Sequence, residues 1–167
     1  RKHLQSIEPR DAAQRQQLAR AEADLLREAQ AYNEAYDLLG KMLAGAPESV
    51  DLLYDQAMIA EKLDRIDVLE RNLRKVIELQ PDHAHAYNAL GYTFADRNQR
   101  LPEARQLIEK ALELSPEEAE LRNALGWTLF QDGRTAEAIA EYERALVADP
   151  NHVKSHNNLG LALVELG

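Results

Sequence analysis

The sequence predicts an all-α protein built as a solenoid of stacked helix–turn–helix units. Ala, Leu, Glu, Gln and Arg fill most positions and β-branched residues are scarce, which favours helices over strands. Prolines recur at intervals of 34 or 35 residues, and such a period is typical of stacked repeats. These are Pro47, Pro81, Pro116 and Pro150. A five-residue phrase recurs with the same period, as NALGY at 88–92, NALGW at 123–127 and NNLGL at 157–161.

Each unit is predicted to contain two helices, because its apolar pattern breaks once. The breaks fall at the polar segments 96–100 and 132–135. Neither helix of a unit can bury its apolar stripe alone, so neighbouring units must stack.

The proline joints are predicted to start helices. In LSPEEAE, Ser115 would act as the N-cap, Pro116 would occupy the first helical position and Glu118 would complete a capping box. Asp149 and Pro150 are arranged in the same way at the next joint.

Composition excludes several classes of function. The net charge of −9 argues against a nucleic-acid partner, because affinity for phosphates depends on clustered Lys and Arg. The absence of cysteine excludes disulfides, thiolate metal sites and cysteine nucleophiles. No apolar run approaches the length of a membrane span, so direct insertion of this segment is not expected.

No catalytic motif or cofactor-binding motif is present, and we predict neither an enzyme nor a cofactor. His152 and His156 are four residues apart and could share a metal ion. A functional metal site needs about three protein ligands, so a surface histidine pair is the preferred interpretation.

Nearly the whole chain resembles the tetratricopeptide repeat, whose first helix carries an aromatic, then Leu-Gly, and whose second carries Ala, an aromatic, Ala and Pro. The third unit matches at Tyr87, Leu90, Gly91, Phe94, Ala104, Ile108, Ala111 and Pro116. The fourth matches at Leu125, Gly126, Leu129, Gly133, Ala138, Tyr142, Ala145 and Pro150. The resemblance implies a right-handed α-α superhelix.

The repeat register divides the chain into six segments. They are the end of a preceding helix with a linker (1–15), two degenerate repeats (16–49 and 50–83), a repeat with one extra turn residue (84–118), a full repeat (119–152) and a first helix (153–167). In the second repeat, Gln56 replaces the expected core leucine.

The glycines of the recurring phrase are predicted to let the two helices of a repeat approach closely. Gly91 and Gly126 would face Ala104 and Ala138, respectively, and Gly160 would play the same part in the last unit. Leu90, Leu125 and Leu159 would fill the core.

In the resembled family, the fifth and ninth residues of each first helix line a peptide-binding groove. The candidate groove residues are Tyr54, Met58, Asn88, Tyr92, Asn123, Trp127, Asn157 and Leu161. An asparagine amide can satisfy the backbone of an extended peptide, and Tyr and Trp are common anchors of interfaces. The alternative is that the asparagines are tolerated on an exposed helix face and Trp127 only packs against its neighbours.

A clamp for a peptide carboxylate is not expected in this groove. Family members with such a clamp use Lys and Arg at the second, fifth and sixth positions of successive repeats. Here only Arg20 and Lys154 are basic at these positions, and they lie at opposite ends of the chain.

The resemblance implies a non-enzymatic scaffold or adaptor that binds a protein or extended peptide. The sequence style of residues 84–150 resembles multi-repeat bacterial proteins that bring partners to envelope complexes or proteases. A periplasmic or outer-membrane-associated location follows from that resemblance, with the cytoplasm as the alternative. The alternative function is a substrate-recruiting region of a larger enzyme, such as a glycosyltransferase.

The last helix is predicted to promote self-association. Segment 153–166 has no second helix to pack against, so Leu159, Leu163 and Leu166 are expected to be exposed.

Overall fold

The computed structural model describes residues 12–167, and the predicted helix end at residues 1–8 lies outside this part. The described chain is α-helical throughout, without strands, so the all-α prediction is confirmed. None of its helices combines the length and apolarity needed to cross a bilayer. The helices are α1 (Ala12–Glu28), α2 (Tyr32–Gly45), α3 (Val50–Lys62), α4 (Ile66–Leu79), α5 (Ala84–Asp96), α6 (Leu101–Leu114), α7 (Ala119–Gln131), α8 (Thr135–Ala148) and α9 (Val153–Leu166).

The chain forms two compact units, residues 1–81 and 82–167. In the described part of unit 1, α1 packs on α2 and α3 on α4, and α2 contacts α3. In unit 2, α5 packs on α6 and α7 on α8, while α7 also contacts α5 and α9. Residues 12–15, which the sequence assigned to a linker, lie in α1.

The turn inside each repeat contains a residue in the left-handed region of backbone conformation. It is the fifteenth residue of every repeat, Gln30, Asp64, Asn98 and Gly133. The third repeat has a second such residue, Arg100, with φ of 47°, and α6 begins one residue late. The extra residue of this repeat is therefore accommodated in its turn, where the Arg100 guanidinium lies 3.7 Å from the centre of the Phe94 ring.

The joints between repeats differ from the prediction. Ser115 ends α6 as its C-cap, and α7 begins only at Ala119, with no side-chain hydrogen bond from its N-cap Glu118. The predicted capping box is therefore wrong, because Pro116 lies in the turn before the helix. Asp149 likewise ends α8, and its carboxylate accepts a hydrogen bond from the Asn151 amide at 3.0 Å.

Histidines cap two of the first helices in unit 2. The Nδ1 of His83 accepts a hydrogen bond from the Ala86 amide at 3.1 Å, and the Nδ1 of His152 accepts one from the Ser155 amide at 3.3 Å. Each ring satisfies a backbone N–H that the helix itself leaves without a partner.

Two of the three repeat glycines lie where helices touch. A Cβ on Gly91 would lie 2.8 Å from both the Ala104 carbonyl oxygen and Ile108 Cγ1. A Cβ on Gly126 would lie 2.5 Å from the Tyr142 ring, so its nearest neighbour is this tyrosine rather than the predicted alanine. At Gly160 a Cβ would meet nothing within 4 Å.

The core of unit 1 contains a polar pair in place of a leucine. Gln56 is buried, its Oε1 accepts a hydrogen bond from Asn72 Nδ2 at 2.8 Å, and its Nε2 donates to the Tyr36 carbonyl at 3.5 Å. The departure from the family pattern at Gln56 is thus matched by a polar partner on α4, which avoids an unsatisfied buried amide.

Candidate interaction surface on the first helices of unit 2

The first helices of unit 2 carry matching stripes of residues in the same repeat register. On each helix, residues three or four apart point to the same side. Because α7 packs between α5 and α9, the three stripes are neighbours. We call this surface the first-helix face, and it consists of Asn88, Tyr92, Trp127, Phe130, Asn157, Leu161 and Val164.

Asn123 is not available on this surface, which corrects the predicted row of asparagines. Its side chain is only 1% exposed. Its Oδ1 accepts hydrogen bonds from Asn158 Nδ2 at 3.0 Å and Ser155 Oγ at 3.4 Å. Asn123 therefore joins α7 to α9 and does not offer its amide to a guest.

The other two asparagines of the row have different surroundings. Asn157 is exposed, whereas Asn88 is partly buried and its Oδ1 is a buried atom without a hydrogen-bond partner among residues 12–167. The repeat register explains the contrast with Asn123. Leu121 and Ala124 stand where Ser155 and Asn158 stand one repeat later, and neither has a side chain that can donate a hydrogen bond.

Aromatic rings form the middle of the first-helix face. Trp127 is half-buried and its ring stacks on that of Phe130, with centroids 5.8 Å apart and planes at 22°. The indole Nε1 is buried and lacks a hydrogen-bond partner within the described chain. Sequence reasoning missed Phe130, although its position three residues after Trp127 places it on the same side of α7.

The α9 part of the face is the most open. Leu161 is 48% exposed and Val164 is 81% exposed. Together with the stacked rings on α7, these side chains present a mainly apolar surface, and such surfaces mark interaction sites.

Charged side chains at the N-terminal ends of α7 and α9 neutralise each other. Glu120 accepts from Lys154 Nζ at 2.7 Å and lies 2.9 Å from His152 Nε2. Burial raises the pKa of Glu120, but the hydrogen bonds from Lys154 and His152 outweigh it and leave the pKa below its usual value. Glu120 therefore stays ionised and links the two helices.

The predicted groove residues of unit 1, Tyr54 and Met58, lie half-buried on α3. Burial, together with neighbouring carboxylates, raises the pKa of Tyr54. Arg20 Nε donates to Asp55 at 2.6 Å and Arg20 Nη1 donates to Asp51 at 2.8 Å. Arg20 is thus paired within unit 1, as Lys154 is within unit 2.

Tyr142 lies at the contact between α7 and α8 and is fully buried. Burial raises the pKa of its hydroxyl, and Oη has no hydrogen-bond partner in the described range 12–167. Its ring fills the space that Gly126 leaves open, so its contribution is packing.

The histidine pair is not arranged as a metal site. The ring of His152 contacts Ser155 and Glu120, and His156 Nε2 lies 2.9 Å from the Pro150 carbonyl oxygen. Across residues 12–167, no three His, Asp or Glu side chains are placed to hold a metal ion.

Comparison with known proteins identifies the class of this helical-repeat fold. A sequence profile of the tetratricopeptide repeat matches residues 54–119, 95–153 and 123–167. The chain belongs to the tetratricopeptide repeat family. A tetratricopeptide repeat-containing protein of Pseudomonas aeruginosa is 39% identical over 136 residues, which cover 81% of this chain and 23% of that relative. The chain thus spans only part of the length of this relative.

Solved structures show the same fold. MamA of Desulfovibrio magneticus RS-1 superposes with a TM-score of 0.78 at 21% identity, covering 95% of this chain and 87% of that one. YrrB, described as a tetratricopeptide protein with an unusual peptide-binding site, gives a TM-score of 0.73 at 21% identity, covering 84% and 72%. These similarities confirm the predicted solenoid fold.

Proposed function

We propose that this chain is a non-enzymatic scaffold that binds a protein or peptide on the first-helix face of unit 2. The observation that carries the proposal is the apolar surface formed by Trp127, Phe130, Leu161 and Val164 on adjacent helices. Large, partly buried aromatic residues surrounded by apolar neighbours are typical anchors of protein interfaces.

Tyr54 and Met58 would add to binding on the first helix α3 of unit 1. Both side chains are partly accessible, and Tyr54 combines an apolar ring with a polar hydroxyl. The proposed roles of these two residues are independent of unit 2 and can be tested separately.

The setting that we propose is an adaptor that brings partners to a bacterial envelope complex or protease. The Pseudomonas aeruginosa relative supports a bacterial setting. The alternative is that the repeats recruit substrates to a larger enzyme, such as a glycosyltransferase. The two settings predict the same binding face and differ in what the bound partner undergoes.

The first-helix face can be tested with peptides selected from a random display library on the wild-type chain. We expect Trp127→Ala to weaken their binding about 30-fold, because truncation of an aromatic anchor typically costs 2 kcal/mol or more. Isothermal titration calorimetry measures the effect. Val147→Ala is the matched control, since this side chain is 84% exposed on α8, away from the face. Equal affinities of Trp127→Ala and wild type would exclude the proposed face.

We further propose that α9 mediates association between two copies of this chain. Among residues 12–167, most exposed large apolar side chains lie on α9, including Leu163 at 52% and Leu166 at 60%. The open surface beside Gly160 is the one that Gly91 and Gly126 present to a second helix. Leu159, also predicted to be exposed, is instead partly buried against a cluster that contains Tyr142.

Multi-angle light scattering over a range of concentrations tests this association. We expect a dimer to form as the concentration rises, and a Leu163→Lys, Leu166→Lys variant to remain monomeric, because two buried charges would oppose the contact. A wild-type chain that stays monomeric at the highest attainable concentration would refute the α9 contact.

A further inference from the structure

We propose that the guest of the first-helix face is a basic amphipathic α-helix rather than an extended peptide. This inference rests on the proposed function and specifies the partner. It follows from which atoms the face exposes, and from the charge of unit 2.

The polar atoms of the face point inward. The Asn123 amide is used between α7 and α9, and both Asn88 Oδ1 and Trp127 Nε1 are buried. An extended guest exposes a backbone N–H and C=O at every residue, and each of these groups needs a partner when it is removed from water. The centre of the face offers few such partners.

The remaining exposed amide of the row is too far from Asn88 to replace the missing one. Asn88 and Asn157 stand on α5 and α9, separated by two helix spacings or roughly 16 to 20 Å. An extended chain covers this distance with about five or six residues. Its central backbone groups would lie over Trp127 and Phe130, whose exposed atoms are apolar.

A helical guest avoids this cost. Its backbone groups are satisfied internally, and it presents only side chains to the surface. An apolar stripe on such a helix matches the stacked rings of Trp127 and Phe130, with Leu161 and Val164 beside them. The guest would therefore place leucine-like residues three and four apart against these side chains.

The charge of unit 2 determines the charge of the guest. Residues 82–167 contain fourteen acidic and eight basic residues, a net charge of −6. Lys154, at the N-terminal end of the α9 stripe, is paired with Glu120, whereas the stripes of α5 and α9 end in the exposed carboxylates Asp96 and Glu165. A basic polar side on the guest complements this surface.

The test uses synthetic peptides of about 18 residues, long enough for a helix to form on binding. Two peptides share one composition of Leu and Lys. In the first, Leu recurs every three or four residues, as in an amphipathic helix, and in the second Leu and Lys alternate, as in a strand. A third peptide keeps the helical pattern with Glu in place of Lys. Trp127 is the single tryptophan of the chain, so its fluorescence reports binding at the face.

We expect the helical Leu/Lys peptide to bind at least about tenfold tighter than the alternating peptide and the Leu/Glu peptide. Leu161→Lys should weaken its binding about tenfold, because this change places a charge within the apolar stripe. Val147→Lys adds the same charge on α8 and should have little effect, which separates the face from general electrostatic attraction.

The outcomes distinguish this inference from the proposed function. Tighter or equal binding of the alternating peptide, with the same sensitivity to Leu161→Lys, would show an extended guest and overturn the inference while the binding face stands. Preference for the Leu/Glu peptide would overturn the charge assignment. If library-selected peptides also fail to change Trp127 fluorescence, the proposed binding face fails as well.

Discussion

Replacing Gly91 with alanine is expected to lower the free energy of unfolding by about 1 to 2 kcal/mol, although alanine is the better helix former. The added Cβ would lie 2.8 Å from the Ala104 carbonyl oxygen, a backbone atom that cannot move aside without shifting α6. Overpacking of this kind costs about 1 to 3 kcal/mol and outweighs the gain of about 1 kcal/mol in helix propensity.

Gly160→Ala is the matched control for this prediction. Gly160 occupies the same repeat position on α9, where an added Cβ meets nothing within 4 Å. Here only the gain in helix propensity remains, so stability should rise by up to about 1 kcal/mol. Urea unfolding followed by far-UV circular dichroism measures both variants. The same sign of effect in both would contradict the close approach of α5 and α6.

Replacing Asn123 with alanine is expected to destabilise the attachment of α9 by about 2 kcal/mol, because two donors lose their acceptor inside the protein. Ser155 is fully buried and cannot turn to water, while Asn158 is partly exposed. Amide hydrogen exchange of residues 153–166 should accelerate before that of α5 and α6, since the lost bonds hold only α9.

Asn157→Ala is the matched control for this second prediction. It is the same substitution at the same repeat position, but Asn157 is exposed, so we expect a change within about 0.5 kcal/mol. Both variants exchange asparagine for alanine in a helix, so their difference isolates the buried hydrogen bonds. An Asn123→Ala chain with unchanged exchange on α9 but weakened peptide binding would instead restore Asn123 to the interaction surface.

Much of the fold could be predicted from residues close together in the sequence. The period of the prolines and of the NALG phrase places the helix pairs, because a repeat that stacks on its neighbours must present the same contact at regular intervals. Gly91 and Gly126 were predicted to lie at close helix contacts, and they do. The joints were predicted less well, since a proline two residues earlier or later serves a turn as readily as a first helical turn.

The candidate site could be predicted only in part. Tyr92, Trp127 and Leu161 share a register that the sequence displays, but Phe130 became visible only through its ring contact with Trp127. The peptide-binding roles of all of these residues remain predictions until binding is measured.

The sequence by itself determined the fold class, the repeat register and the places where helices approach closely, because these depend on spacing along the chain. Only the tertiary structure decided the fates of the three asparagines. One is buried and bonded, one keeps a buried acceptor without a partner, and one is exposed. Burial and hydrogen bonding depend on side chains that lie more than thirty residues away in sequence, such as Ser155 and Asn158 for Asn123. The identity of a repeated residue therefore does not settle its role.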